Sequence, residues 1–249
     1  MAVTASAEHQ QALLDVQAFA TKILQLAHKR ASVPEISLAQ DLEVELGSVK
    51  MRLVAAQTES SDLKLDQAKA ENDVQQVVGR ATRDRERLDA GTVNSPKELE
   101  SLSHEIESLA KRQAELEDVE LEIMQQYEDA QRAVIALTES EGAVTSKLAE
   151  VSQQRDDALA DIDFEVNSLT KQRDEITANL PTDLVDFYNK IREDMGGIGA
   201  ALIHRGSCQG CHMTIDPEEI DRIRNLSPEV VVRCDQCRRI LVRTAESGL

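Results

Sequence analysis

The sequence predicts a mainly α protein: a long, kinked antiparallel coiled-coil hairpin followed by a small C-terminal β ribbon. Three observations predict it. Apolar residues recur at alternating spacings of four and three over roughly the first 180 residues. A short segment carrying helix-stop and helix-start residues interrupts that pattern. All four cysteines lie within the last 42 residues.

Composition argues against one large globule. Of 249 residues, 30% are charged and only 2% aromatic, with no Trp. A compact core of that size uses aromatics for volume, whereas Leu, Ala, Glu and Gln in abundance suit long helices.

The first helical stretch is expected from Ala7 to Arg30, with Leu13, Leu14, Ala20, Ile23, Leu24 and Ala27 as its apolar positions. Pro34 interrupts it, giving a break near 31–36, and Ser32 with Glu35 reads as a capping box for a second helix. That helix runs to about Leu88. Its seam contains Leu42, Leu46, Val49, Leu53, Ala56, Leu63, Ala70, Val74, Val77, Ala81 and Leu88.

The turn lies near 89–96. Gly91 can stop one helix, and Ser95-Pro96-Lys97-Glu98 starts the next. The third helix is expected from Pro96 to about Leu180. One heptad row includes Leu99, Ile106, Tyr127, Val134, Leu148, Ile162, Leu169 and Ile176, with Glu120, Glu141 and Arg155 as polar members. Its companion row runs through Leu102, Leu109, Leu116, Ile123, Ala130, Leu137, Val144, Val151 and Ala158, then fails at Glu165 and Gln172, where Val166 and Leu180 take over, so a phase slip is expected near Arg155 to Leu159. Folding at the turn pairs residues whose numbers sum to about 185, which sets Pro34 opposite Val151. The N-terminal helix would cover the remainder of the third. The hairpin domain is therefore 1–181. The segment 182–249 holds a short lead-in helix around Leu184, Phe187, Tyr188 and Ile191, then the ribbon.

Cys208-Gln209-Gly210-Cys211 and Cys234-Asp235-Gln236-Cys237 are two C-x2-C pairs. Two such turns can close a tetrahedron of thiolates around one zinc ion. Four protein ligands leave no open position, so the expected role is structural. Disulfides would need an oxidising compartment, and the opening Met1 to Gln10 lacks the pattern of a secretory signal. Short β-prone runs surround the pairs at Ala200–His204, Val230–Arg233 and Ile240–Arg243. Asp216-Pro217-Glu218-Glu219 reads as a helix start between them. His212 adjoins a complete ligand set and reads as an exposed side chain.

Charge is unevenly distributed. The whole chain carries −18. The segment from Gly196 onward has seven Arg and seven acids, so the excess lies in the helical part. An acidic rod repels phosphate, which excludes non-specific nucleic-acid binding along its length. Two clusters are candidate partner surfaces: Arg205, Arg233, Arg238, Arg239 and Arg243 in the ribbon, and Arg80, Arg83, Arg87 and Lys97 at the hairpin tip. The ribbon arginines read first as local balance for the zinc–thiolate charge. No Gly-rich phosphate loop or H-E-x-x-H motif is present, and no run of about 18 apolar residues offers a membrane span.

At these residues the chain resembles the bacterial four-cysteine zinc ribbon proteins with an N-terminal coiled-coil hairpin. Asn94-Ser95-Pro96-Lys97-Glu98-Leu99 is similar to that family's tip. Leu116-Glu117-Asp118-Val119-Glu120 fits its long helix, and Val232-Arg233-Cys234 through Cys237-Arg238-Arg239-Ile240-Leu241 its C-terminal signature. Asp235 and Arg238 stand where family knuckles often have Pro and Gly. The resemblance implies a non-enzymatic adaptor. Some relatives are linked to flagellar or secretion assembly, to an alternative sigma factor, or to RNA.

The expectation is thus a cytoplasmic zinc-binding adaptor that engages protein partners, as a monomer or weak homodimer. The alternative is a nucleic-acid-binding regulator acting through the ribbon arginines.

Overall fold

The computed structural model describes residues 3–93 and 95–249. Asn94 of the tip signature lies outside the described residues. Packing divides the chain into two compact units, Met1–Ile36 with Gln153–Leu249, and Ser37–Ser152.

The second of these units is the hairpin proper, built from most of α2 (Pro34–Asp89) and the first part of α3 (Pro96–Thr177). Buried seam residues on α2 are Leu42, Val49, Leu53, Ala56, Ala70 and Ala81, all from the heptad row. On α3 the buried members of the companion row are Leu109, Ala130, Val144 and Val151, the pattern that antiparallel heptads require. Ala39, Leu42, Val144 and Val151 form one cluster, with Leu46 and Leu148 packed against it. Arg80 meets Glu105 at 2.6 Å, in the register counted from the turn. Farther along, Lys50 reaches Glu141 at 3.9 Å, so the register has drifted by there. Gly91, at φ 64°, takes the left-handed conformation that ends α2.

The other unit contains α1 (Ala7–Ala31), the far part of α3, α4 (Thr182–Asp194) and the C-terminal sheet. Leu26 and Val33 pack with Ile162 and Leu169, flanked by Phe19 and Ile23. Arg30 joins Asp163 at 2.9 Å above them. Along α3 the buried positions pass from Val144 and Val151 to Ile162 and Leu169, which is the change of row that the phase slip required.

Two details of the break differ from expectation. Val33 and Pro34 sit against Ala158, Asp161 and Ile162, farther along α3 than the register count placed them, because that register does not hold over the whole length. The Ser32 hydroxyl donates to the carbonyls of His28 and Lys29 and so closes α1 instead of opening α2. Pro34 has no N–H, so the start of α2 has one fewer donor to cap.

Four short strands form the sheet: β1 (Ala200–His204), β2 (Ser207–Cys208), β3 (Val232–Arg233) and β4 (Ile240–Val242), in order β2-β1-β4-β3. β1 and β4 run parallel, and the outer pairs are antiparallel. α5 (Pro217–Asn225) lies between the cysteine pairs, with Asp216 accepting from the Glu218 N–H as its N-cap.

The strands alternate faces with period two. Ala200, Ile240 and Val242 point to a core with Leu13 and Val16 of α1 and Leu184, Tyr188 and Ile191 of α4. Ala201, Ile203, Val232 and Leu241 point the other way, to Ile215 and Ile223 and to Cys208 and Cys234. The sheet is therefore a partition: helices α1 and α4 on one side, α5 and the cysteines on the other. Residues at the very start complete this unit. The Ala5 N–H donates to Glu229, and the Val231 N–H donates to Val3.

Candidate metal centre and ribbon surface

The two cysteine pairs fold into matching knuckles. In each, the residue after the second cysteine donates its N–H to the first cysteine's carbonyl: His212 to Cys208 at 2.7 Å and Arg238 to Cys234 at 2.8 Å. The first cysteine's N–H then donates one residue beyond, Cys208 to Met213 and Cys234 to Arg239. Closing so tight a turn puts His212 at φ 59° and Arg238 at φ 64°. These are left-handed conformations that favour glycine, and Arg238 is where the family often has it. The knuckle forms without glycine there and carries the strain.

Gly210 is held to glycine by space. A Cβ at that position would lie 2.8 Å from Cδ of Arg239 and 2.9 Å from Cβ of Ala201. The first knuckle thus sits directly on β1 and on the Arg239 side chain.

These turns bring the four sulfurs together, all within 4.8 Å of one another. Cys208 Sγ is 3.8 Å from Cys237 Sγ, and Cys211 Sγ is 4.0 Å from Cys234 Sγ. A tetrahedron with Zn–S bonds of about 2.3 Å has edges of about 3.8 Å, so the donor set fits zinc. Cys208 and Cys234 are buried, whereas Cys211 and Cys237 are half-buried. Exposed His212 is not part of the cluster.

The thiols differ in acidity. Burial pushes Cys208 up to about 12, against N–H donation from Gly210 and Cys211. Burial raises Cys234 as well. Burial also opposes ionisation of Cys237. There, the Arg239 N–H, the neighbouring thiols of Cys234 and Cys211, and the Arg239 side chain outweigh it and bring the group down to about 7.

The ribbon arginines have separate roles. Arg239 donates to the carbonyls of Met195, Ile198 and Gly210, tying the end of α4 and the first knuckle to the second. Arg243 donates to five carbonyls, those of Ile223, Leu226, Ser227, Pro228 and Val230, and braces the bend from α5 to β3. Arg233 donates to the Arg238 carbonyl and lies 5.5 Å from the Phe187 ring centroid. Arg205 and Arg238 are the two that are exposed. At the tip, Arg80, Arg83, Arg87 and Lys97 are all exposed. Arg80 pairs with Glu105, and both Arg80 and Arg87 approach Asp84.

Sequence reading missed two buried glutamines on α1. Gln17 Oε1 accepts from the Tyr188 hydroxyl at 3.0 Å and from the Gly199 N–H at 2.7 Å, and its Nε2 donates to the Gly197 carbonyl. Gln10 Nε2 donates to the carbonyls of Ala5 and Pro228. The available signal was two glutamines seven residues apart within an apolar stripe, beside Leu13 and Ala20.

Four thiolates on paired knuckles beside a small sheet define a C4 zinc ribbon, and α2 with α3 defines a helical hairpin. The comparisons agree on both parts. Residues 16–196 match the CT398-like coiled coil hairpin domain, and residues 207–241 match the C4-type zinc ribbon domain. The chain belongs to the CT398-like coiled-coil hairpin family, with one structural zinc ion in its ribbon. It is 31% identical over 239 residues to the uncharacterized protein Rv2229c of Mycobacterium tuberculosis, covering 96% of this chain and 97% of that one. A solved Mycobacterium smegmatis structure superposes with a TM-score of 0.81 at 30% identity, covering 97% of this chain and 100% of that one. CT398 from Chlamydia trachomatis shares the fold, with a TM-score of 0.67 at 19% identity over 94% of this chain and 97% of its own. Among the described residues, no helix is long and apolar enough to cross a membrane.

Proposed function

We propose that this protein is a non-enzymatic cytoplasmic adaptor, in which a zinc ribbon and a hairpin tip are the docking surfaces. The observation that carries this reading is the closed donor set. Four thiolates complete the tetrahedron, so the zinc has no position for water or substrate and serves to fold the ribbon. The exposed charges at Arg205 and Arg238, and those at Arg83 and Lys97, then supply polar contact sites rather than catalysis.

A nucleic-acid-binding regulator is the competing reading. Against it weigh the main-chain engagement of Arg239 and Arg243, and a net charge of −18. The test is crosslinking capture from the source cell. The intact zinc-loaded chain is compared with Arg205→Glu/Arg238→Glu and with Arg83→Glu/Lys97→Glu, and zinc content is checked in each. Specific proteins lost with either double variant support the adaptor. Recovery of RNA or DNA that dissociates steeply with salt would replace it with the nucleic-acid reading.

A further inference from the structure

A cavity of about 240 Å³ opens where the start of α1, the end of α5 and the chain after β4 meet. It is smaller than the pockets that take drug-sized ligands, which begin near ~300 Å³. Gln10, only 2% exposed, lines it. Its Nε2 is committed to the carbonyls of Ala5 and Pro228, but its Oε1 accepts from no group among the described residues. No side-chain oxygen among them is both sealed from solvent and without a partner, so this one is open, and the cavity is the space it borders. A buried residue ordinarily has its acceptors paired.

Charge at the cavity is one-sided. Arg224 and Arg243 both line it and no Asp or Glu does, in a chain with 46 acidic residues. Arg224 meets Asp221 at 2.7 Å, with half of its side chain in solvent. Arg243 meets no carboxylate among the described residues. Its two Nη atoms are spent on carbonyls, whose dipoles hold the guanidinium without cancelling its charge, and its Nε–H has no acceptor there. Burial pulls this group below its ordinary value, and no carboxylate of the chain opposes that pull. The next residue, Thr244, accepts the Glu246 N–H at its hydroxyl and passes its own proton to no group among the described residues. Ile223 and Leu226 supply an apolar wall.

We infer that this cavity binds a small aliphatic carboxylate that carries an amino or hydroxyl group on the adjacent carbon. The carboxylate answers the free donors of Arg243 and Thr244, with Arg224 at the rim. The amino or hydroxyl proton goes to Gln10 Oε1, and the aliphatic group rests on Ile223 and Leu226. A bare anion such as sulfate would answer the arginine but meet the Gln10 oxygen with another acceptor. A purely apolar molecule would leave both unanswered, at a cost in desolvated polar groups. The convergence of a few placed polar groups on an apolar wall is the usual build of a small-molecule site.

The test is isothermal titration calorimetry on the full zinc-loaded chain, with three molecules of one carbon skeleton and one bare anion: L-valine, α-hydroxyisovalerate, isovalerate and sulfate. The expected result is saturable one-to-one binding of L-valine or of α-hydroxyisovalerate, and whichever binds more tightly names the source of the ligand. Isovalerate, which has no donor for Gln10, should bind about tenfold more weakly, the worth of one hydrogen bond. Two variants place the site without disturbing the Arg243 brace, with circular dichroism and zinc content as fold controls. Arg224→Glu, at an exposed rim position, should weaken binding several-fold by repelling the carboxylate. Ala7→Phe, also exposed, should abolish binding by filling the mouth. No binding of either donor-bearing acid at millimolar concentration overturns the assignment. So does isovalerate or sulfate binding as tightly as they do, or binding that neither variant changes.

Discussion

The side-chain oxygen of Gln17 accepts the Tyr188 hydroxyl at 3.0 Å, joining two residues 171 positions apart. The same oxygen takes the Gly199 N–H as the chain enters β1, so one amide fastens α1, α4 and the sheet together. Gly199 itself cannot vary, because a Cβ would lie 2.8 Å from the Tyr188 ring and carbonyl.

Gln17→Leu should therefore be strongly destabilising although it is apolar and of similar size. It strands a buried hydroxyl and a buried N–H, at about 1–3 kcal/mol for each such group. Tyr188→Phe removes one donor and should cost about 1 kcal/mol. Urea unfolding of the zinc-loaded protein separates the two. Equal small losses would contradict the hub described.

Burial pushes the Tyr188 hydroxyl up to about 12. In the unfolded chain it ionises near its ordinary value of 10, where the folded protein keeps its proton. The unfolded state then gains from deprotonation first, so this contribution to stability is present below pH 10 and is lost between about 10 and 12. Unfolding midpoints measured across that window should fall for the wild type and fall less for Tyr188→Phe.

Zinc affinity should rise with pH. The ligand form is the thiolate, and burial holds Cys208 and Cys234 in the thiol form at neutral pH, while Cys237 at about 7 is already partly ionised. Binding must expel protons from the two buried sites. Competition with a chromophoric chelator should show tighter binding at pH 8 than at pH 6, with proton release measurable by calorimetry in buffers of different ionisation enthalpy. Chelation should unfold the ribbon and leave most of the helical signal from Ser37–Ser152.

Arg238→Gly should stabilise the second knuckle. At φ 64° an L-residue is strained by about 1 kcal/mol, which glycine avoids. Gly210→Ala should do the reverse at the first knuckle, because the added Cβ meets Ala201 and Arg239. Overpacking of that kind costs about 1–3 kcal/mol. Zinc retention against a chelator, read for both variants, gives the two signs directly.

The hairpin was legible because heptads, proline breaks and helix starts are local. Leu42 to Ala81 fell on the expected row, and α3 begins at Pro96. The four ligands were legible because C-x2-C spacing is itself the knuckle. The rest is long-range. No spacing rule connects Gln17 with Gly199, or Arg243 with the five carbonyls it braces. The ribbon arginines illustrate the limit. Sequence marks them as charge, and only the folded chain distinguishes Arg239, committed to the main chain, from exposed Arg238. The parallel pairing of β1 with β4 was likewise beyond local pattern, since nearly forty residues separate the strands.

The link from Gln10 to Pro228 spans 218 residues, and Val3 and Ala5 meet the segment around Glu229 to Val231. During synthesis this gives the molecule a clock. The first helix leaves the ribosome with its apolar stripe made, but the sheet against which Leu13 and Val16 pack is translated long after it. At about 5–20 residues per second, that stripe waits on the order of ten seconds or more for its native neighbours. The hairpin can form in the interval, so assembly ends with the ribbon and the first helix meeting. Metal capture and the docking of α1 then fall together. A nascent chain stalled before Cys234 would present an open α1 face, the form most exposed to chaperones and proteases.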